Sequence, residues 1–402
     1  MADFKYDDLK KTYNNFQFPR AIIYVNGKKL ENGKKLAYGI SDIVVENTCG
    51  FEANVASFHI FNCFNLHESV FEFDSIKKLV FLGASVVILM GFTQNAREVF
   101  RGFISNISFN YFQNSSPGVT VTCMDVKGIM MSGSYVKNMT FNNYSDAVTD
   151  VIKNNYGGMF NAAGAGGSDR KSIVTKLSIS PTPDKQQSGG AGGSGGQGAG
   201  NADTDRTIDF VAESDYEFVV KAAKRFNYEF YSLAGEVIFR KAKSTSSILM
   251  ELGPATGMSN VDVSFGVSGL VGNVEVRGMN AGDGKVISSK KKINNKISTG
   301  QAAAKLVKSV SKVEIDPTIF SKTDADARAE YIAEDISYRF GTLKADFHGI
   351  PELTPGRYVL LKLIGKDYNM KFYVTDVIHK MTTSKGYVTS IIAKTHTIDK
   401  EK

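Results

Sequence analysis

The sequence predicts a mainly β chain with helical connectors, arranged as two small β-barrels plus a middle α+β module. Three observations point there. Short alternating runs rich in Val, Ile, Phe and Tyr recur between turn residues before residue 140 and again after residue 246, as strands of barrels or sandwiches do. The apolar period becomes helical only near Ser145, Ser214 and Thr323. The last stretch, Gly349 to His396, reads as three strands of a meander. The expected division is 1–140 for the first barrel, then 141–245 for the middle module with a Gly-rich insertion over 157–201. The second barrel follows over 246–402, with an inserted basic loop at 285–312 and a helix at 323–340.

The first barrel opens with Ala21 to Val25, then Asn26-Gly27, then Lys28 to Leu30. Asn-Gly between such flanks is a strong hairpin signal, because both turn positions need positive φ. Phe51 to Phe64 alternates with apolar groups on both faces, as in a strand buried on two sides or lying in a subunit interface. Two further strand pairs are expected over Leu79 to Phe92 and Val99 to Tyr111, and Val119 to Asp125 ends the set. The Leu79–Phe92 run is about 14 residues and a spanning helix needs ~20, so no membrane-spanning segment is expected.

Ser145 to Tyr156, followed by Gly157-Gly158, reads as a Ser-capped helix closed by glycine. From Gly157 to Asn201 the chain is rich in Gly, Ser, Gln and Ala, and no core is expected from it. Ser214 and Glu217 form a capping box, followed by a stripe of Phe218, Val219, Ala222, Ala223 and Phe226. Tyr228–Tyr231 and Val237–Arg240 make a hairpin around Ala234-Gly235, and strands resume from Asn260 to Met279. A lysine-rich stretch, Lys285 to Lys312, precedes a helix running from Thr323 to Phe340 with acids in its first turn, where the helix dipole favours them. In the closing segment Pro351 and Pro355 fix φ and remove donors, so the strand begins no earlier than Arg357.

A chain of 402 residues with 42% apolar and 22% charged composition can bury more than one core. Its net charge of +7 is gathered only at Lys290, Lys291, Lys292 and Lys296, so solubility and basic loops account for it, and no nucleic-acid sequence recognition is expected. Three cysteines give no paired framework and fit a reducing compartment, and Met1 to Asp8 carries acids where a secretory signal would be basic and apolar.

No catalytic, cofactor-binding or metal site is expected. Cys49, His59, Cys63 and His67 are suitable zinc ligands, but His59 and Cys63 are four apart in an alternating strand, ~13 Å at ~3.3 Å per residue. Gly192, Ser194 and Gly196 match the nucleophile-elbow pattern inside a glycine tract, without the strand and helix that an elbow needs. Asp203, Asp205 and Asp209 lack the glycine and terminal acid of a calcium loop. His379, at a strand end, is expected to be structural. A hydrolase built on two carboxylates distant in sequence leaves no local signature, so that class stays open.

The turn Gly349–Pro351–Leu353–Pro355–Gly356, the strand end Val377 and His379, and the strand start Gly386, Tyr387 and Thr389 together resemble the C-terminal barrel of the phage late-control and tail-hub family, which includes the hub portion of type VI secretion spike proteins. Glu213, Ser214 and Asp215 before Phe218, then Phe226 to Phe230, are similar to that family's central module. Val99 to Ile104 resembles its first-barrel turn, and the Ser145–Gly158 helix and Val274–Gly278 strand fall in the expected order.

The resemblance spans roughly 20 to 400. It implies a structural baseplate hub and no enzyme: a homotrimeric ring adapting a hexameric tail tube, or tube initiator, to a trimeric central spike carried on a separate polypeptide, among baseplate wedge proteins. It further implies assembly in the bacterial cytoplasm and residence in a virion tail or a released tail-like particle. Tail-tip cell-wall hydrolase and tail tube or adhesin protein are the competing readings. The Gly-rich insertion is longer than the family pattern leads one to expect.

Overall fold

Alternation of apolar residues makes most of this chain strand, and the computed structural model is mainly β with helical connectors. It describes all residues except 1, 31–37, 113–115, 161–169, 185–206, 280–283, 294–300, 320, 364–367, 398 and 401–402. The glycine tract with its Gly192–Gly196 pattern therefore lies outside the described residues, as do Asp203, Asp205 and Lys296.

Among the described residues one 15-stranded sheet dominates, and it draws strands from both ends of the sequence. Its first group, in sheet order, is Gly39–Thr48, Val55–Phe61, Gly118–Met124, Asn95–Asn110, Ser85–Phe92 and Pro19–Val25. Its second group is Met258–Phe265, Gly341–His348, Gly386–Thr395, Tyr368–Thr382, Tyr358–Leu361 and Ile248–Leu252. The two groups follow the same plan. Each begins in the chain with the strand that ends its sheet order, and each runs through the other five in the same sequence. One difference is orientation: Pro19–Val25 pairs antiparallel with its neighbour, whereas Ile248–Leu252 pairs parallel. The groups are hydrogen-bonded to each other where Ile43–Thr48 lies antiparallel to Asp376–Met381. One apolar cluster runs through both, from Ile23 and Phe58 to Phe347 and Ile391.

A second cluster holds the middle of the chain. The helices Tyr144–Tyr156 and Asp215–Phe226 bury Val148, Ile152, Phe218 and Ala222 against Phe230, Val237 and Phe239. The capping box at Ser214 and Glu217 is present, and Asn227 closes that helix in the left-handed region at φ 57°. The first of these helices is capped by Asn143, not Ser145. The Asn143 side chain accepts from the Asp146 amide, and Ser145 lies inside the helix, where its hydroxyl donates back to Asn143.

Four more local expectations are corrected. Leu79 to Phe92 is not a strand pair: Phe73–Leu79 is helical, Gly83 turns at φ 79°, and Ser85–Phe92 is a single fully buried strand. Val99 to Tyr111 is likewise part of one long strand, Asn95–Asn110. Residues 157–201 are not uniformly coreless, because Lys176–Ile179 joins the Tyr228–Lys241 hairpin as a third, parallel strand and Val174 is buried. The basic stretch 285–312 contains the strand Val286–Lys292 and the helix Gln301–Lys308. Lysines there occupy an amphipathic edge strand, and Val276 and Ser289 face the helix Lys322–Ser337.

The double-proline turn packs as a plug. Ile350 and Leu353 are buried, the Ile350 amide donates to Thr389 Oγ1 at 2.9 Å, and the Gly356 amide donates to the Val374 carbonyl at 2.9 Å. Gly356 has φ 78°, and a Cβ there would meet the Tyr231 hydroxyl at 2.4 Å, so glycine is required twice over.

Candidate interaction surface

The junction between the two strand groups is the best-defined contact of like units in the molecule. Asp376, Val377, Ile378, His379, Lys380 and Met381 oppose Thr48, Asn47, Glu46, Val45, Val44 and Ile43 in that order. Val45, Val377 and His379 are all buried there. The His379 ring bonds Thr389 Oγ1 and the Tyr387 hydroxyl at 3.2 and 2.9 Å. Burial without a counter-charge pushes its pKa down to about 3, so it stands as a neutral packing residue.

A β-bulge immediately precedes this junction on the long strand, and it is duplicated. In the strand Tyr368–Thr382 the register against Gly386–Thr395 slips at Thr375, whose hydroxyl donates to the Ile392 carbonyl at 3.1 Å. In Asn95–Asn110 the register against Gly118–Met124 slips at Ser105, whose hydroxyl donates to the Thr122 carbonyl at 3.1 Å. Sequence reasoning missed this correspondence. Its only signal was a hydroxyl residue late in each long strand.

Three buried acids are held by hydrogen bonds from neighbouring side chains and backbone. Glu229 accepts from the Tyr373 hydroxyl, the Lys243 amide at 2.6 Å and Arg240 at 3.4 Å. Glu352 accepts from the Tyr13 hydroxyl at 2.6 Å and faces Arg97 at 3.1 Å. Burial raises the pKa of both carboxyls. Asp215 accepts from Tyr156 and Asn155 within the middle cluster. Neither of two shallow clefts is lined by these acids. One of about 340 Å³ is bordered by Lys291, Glu330, Glu334, Tyr338 and His396; one of about 250 Å³ by Asp346, Lys380, Ser384 and Lys385. Glu330 and Glu334 are ion-paired with Lys241 and Lys243.

The four zinc candidates are spread over different surroundings. Cys49 is buried beside Tyr231 and Tyr373, and Cys63 is buried in the main cluster. His59 sits against Thr120 at 3.5 Å, and His67 is exposed in a turn. Asp209 belongs to the strand Thr207–Glu213.

Exposed apolar groups and free strand edges mark the surface. Phe109, Tyr111 and Phe112 are exposed at the end of the long first-group strand, with ring contacts from Phe109 to Phe71 and from Tyr111 to Phe64. On that strand Phe103 and the residues before it pair with Ser85–Phe92, and beyond Ile104 the same side carries no strand among the described residues. Among the described residues Met258–Phe265 pairs on one side only, with Gly341–His348, and Val261 is exposed.

No family model matches the sequence, and no curated protein matches it significantly. Solved structures do. A tail protein from Neisseria meningitidis superimposes with a TM-score of 0.64 at 12% identity over 94% of this chain and 97% of that one. The fold is tail-hub-like. A 43 kDa tail protein of prophage MuSo2 from Shewanella oneidensis gives a TM-score of 0.60 at 10% identity, covering 93% and 98% of the two chains. A type VI secretion component from E. coli, described as similar to T4 bacteriophage tail proteins gp27 and gp5, gives 0.50 at 11% identity over 92% of this chain and 76% of that one. The tail-hub-like fold thus spans nearly the whole length of this chain and of the two tail proteins.

Proposed function

We propose that this chain is the structural baseplate hub of a contractile tail or injection system. Three copies form a ring that adapts a hexameric tail tube, or tube initiator, to a trimeric spike, with baseplate wedge proteins around it. The observation that carries this reading is the duplicated strand plan: each copy contributes two like units, so three copies present six on the tube side while remaining threefold on the spike side. The tail-hub-like fold over nearly the full chain supports it. The proposal takes 1–140 and 246–402 as the two units and 141–245 as the module between them. It places assembly in the bacterial cytoplasm and the finished protein in a virion tail or tail-like particle.

The protein works in this reading by shape and edge complementarity, with no catalytic, metal or cofactor site. The buried carboxylates Glu229, Glu352 and Asp215 are held by tyrosine hydroxyls and lie away from the clefts, which supports a structural role over a wall hydrolase.

Light scattering of purified protein at micromolar concentration tests it, with an expected mass of three times the 43.9 kDa chain. A monomer at every concentration overturns the ring. A cleared peptidoglycan zymogram lost on Glu229→Gln or Glu352→Gln substitution overturns the non-enzymatic reading.

A further inference from the structure

The two strand groups can be aligned residue by residue without recourse to sequence similarity. The bulge residues Ser105 and Thr375 are equivalent, since each is skipped in its ladder and each donates its hydroxyl to the carbonyl opposite. That makes Asn106 to Tyr111 the counterpart of Asp376 to Met381. It also makes Thr122 the counterpart of Ile392, and the ladders then carry the match across the sheet. Thr122 pairs with Ser57 and Ser57 with Val44; Ile392 pairs with Lys344 and Lys344 with Asp262. Val44, Val45 and Glu46 therefore correspond to Asp262, Val263 and Ser264.

Within one chain the second group's long strand pairs with the first group's end strand, at Asp376–Met381 against Ile43–Thr48. Among the described residues, the counterparts of these two partners carry no strand on the relevant side. Met258–Phe265, the counterpart of the end strand, forms a ladder with Gly341–His348 alone among the described residues. On the side that Ser85–Phe92 occupies earlier, no strand among the described residues pairs with the first long strand beyond Ile104. Other free edges of the large sheet are guarded. Pro19 opens one, Lys28 and Lys29 form another, and Ala2–Phe4 is only three residues long. From Asn260 to Phe265 the open edge is regular and contains neither Lys nor Pro, which natural proteins use to block edge pairing.

We infer that Val261–Gly266 of one copy adds as an antiparallel strand to Asn106–Tyr111 of the next copy, repeating between chains the junction that already exists within each chain. The inference rests on the ring reading and specifies its contact. Transferring the observed register opposes Ile107 to Phe265, Ser108 to Ser264, Phe109 to Val263, Asn110 to Asp262 and Tyr111 to Val261. The chemistry matches at each step: apolar meets apolar, hydroxyl meets hydroxyl, and amide meets carboxylate. Exposure agrees as well. His379 and Val45 at the internal junction are 1% and 0% exposed, whereas their counterpart Phe109 is 39% exposed and Val263 only partly buried. Tyr111 at 65% and Val261 at 37% are uncovered in the single chain. A heterologous contact of this kind uses two different edges, so the same contact repeats from copy to copy, as a ring requires.

Cysteine cross-linking of the full chain tests it. Directly opposed residues in an antiparallel ladder have Cα atoms about 4.5–5.5 Å apart, within the range a disulfide spans. The double variant Ser108→Cys with Ser264→Cys, oxidised with copper–phenanthroline, is expected to give covalent dimer and trimer on a non-reducing gel. Each single variant, and the parent with its buried Cys49, Cys63 and Cys123, is expected to give monomer. Light scattering is run on the same samples. A trimer by mass that does not cross-link overturns the edge pairing and leaves the ring standing. A monomer by mass overturns both. A covalent dimer from Ser264→Cys alone shows two such edges pairing with each other, and overturns the proposed register.

Discussion

His379 shows how a single residue can be legible in position and not in environment. The sequence placed it at the end of an apolar strand, which reads as structural. Only the structure shows that two strands and the Gly349–Gly356 turn bury it completely. Its folded pKa, about 3, lies below the ordinary histidine value, so the unfolded chain takes up a proton that the native protein refuses. Its contribution to stability is full above about pH 6.5 and is lost as pH falls toward 3, with a slope of up to about 1.4 kcal/mol per pH unit. Buried Glu229 and Glu352, whose pKa values are raised, shift the absolute curve, so the difference between parent and variant is the useful quantity. Thermal melts of His379→Gln and the parent between pH 7 and pH 4 are expected to converge as pH falls. Parallel curves would place the imidazole in contact with water.

Helix starts are set locally, and the capping box at Ser214 was readable because the amide and carboxylate partners are three residues apart. Ser214→Ala is expected to lower stability by about 1 kcal/mol in denaturant melts, with the m-value unchanged. At Asn143 the same local chemistry was misassigned. Two capping residues stand close together there, and the packing of Ser145 against Thr182 decides between them. Thr182 comes from the stretch 157–201, whose composition concealed both that contact and the short strand Lys176–Ile179. A four-residue strand held by a neighbouring hairpin carries too little periodicity to stand out from a glycine-rich background.

Over the whole molecule, the sheet is continuous because Ile43–Thr48 and Asp376–Met381 pair across more than three hundred residues of sequence. Glu46→Cys with Ile378→Cys, which are directly opposed, is expected to form an intrachain disulfide. The readouts are faster migration on a non-reducing gel, a raised thermal midpoint and an unchanged solution mass. Failure to form it under oxidising conditions would contradict the register on which the equivalence of the two strand groups depends. The doubled plan is faintly present in the sequence as an order of elements. Its residue-level form is absent there, because strand equivalence is carried by ladder register and a bulge while the side chains have diverged.

The sequence by itself determined that the chain is mainly β, where its main hairpins and capped helices fall, and that its chemistry is apolar packing punctuated by turns. These follow from periodicity, turn geometry and capping, which act over a few residues. Tertiary structure alone decided that two sets of strands fuse into one sheet, that a bulge with the same hydroxyl bond recurs in each, and which edges stay open. Those outcomes depend on hydrogen-bond register between segments distant in the chain, and register is a property of a pair that neither strand encodes alone.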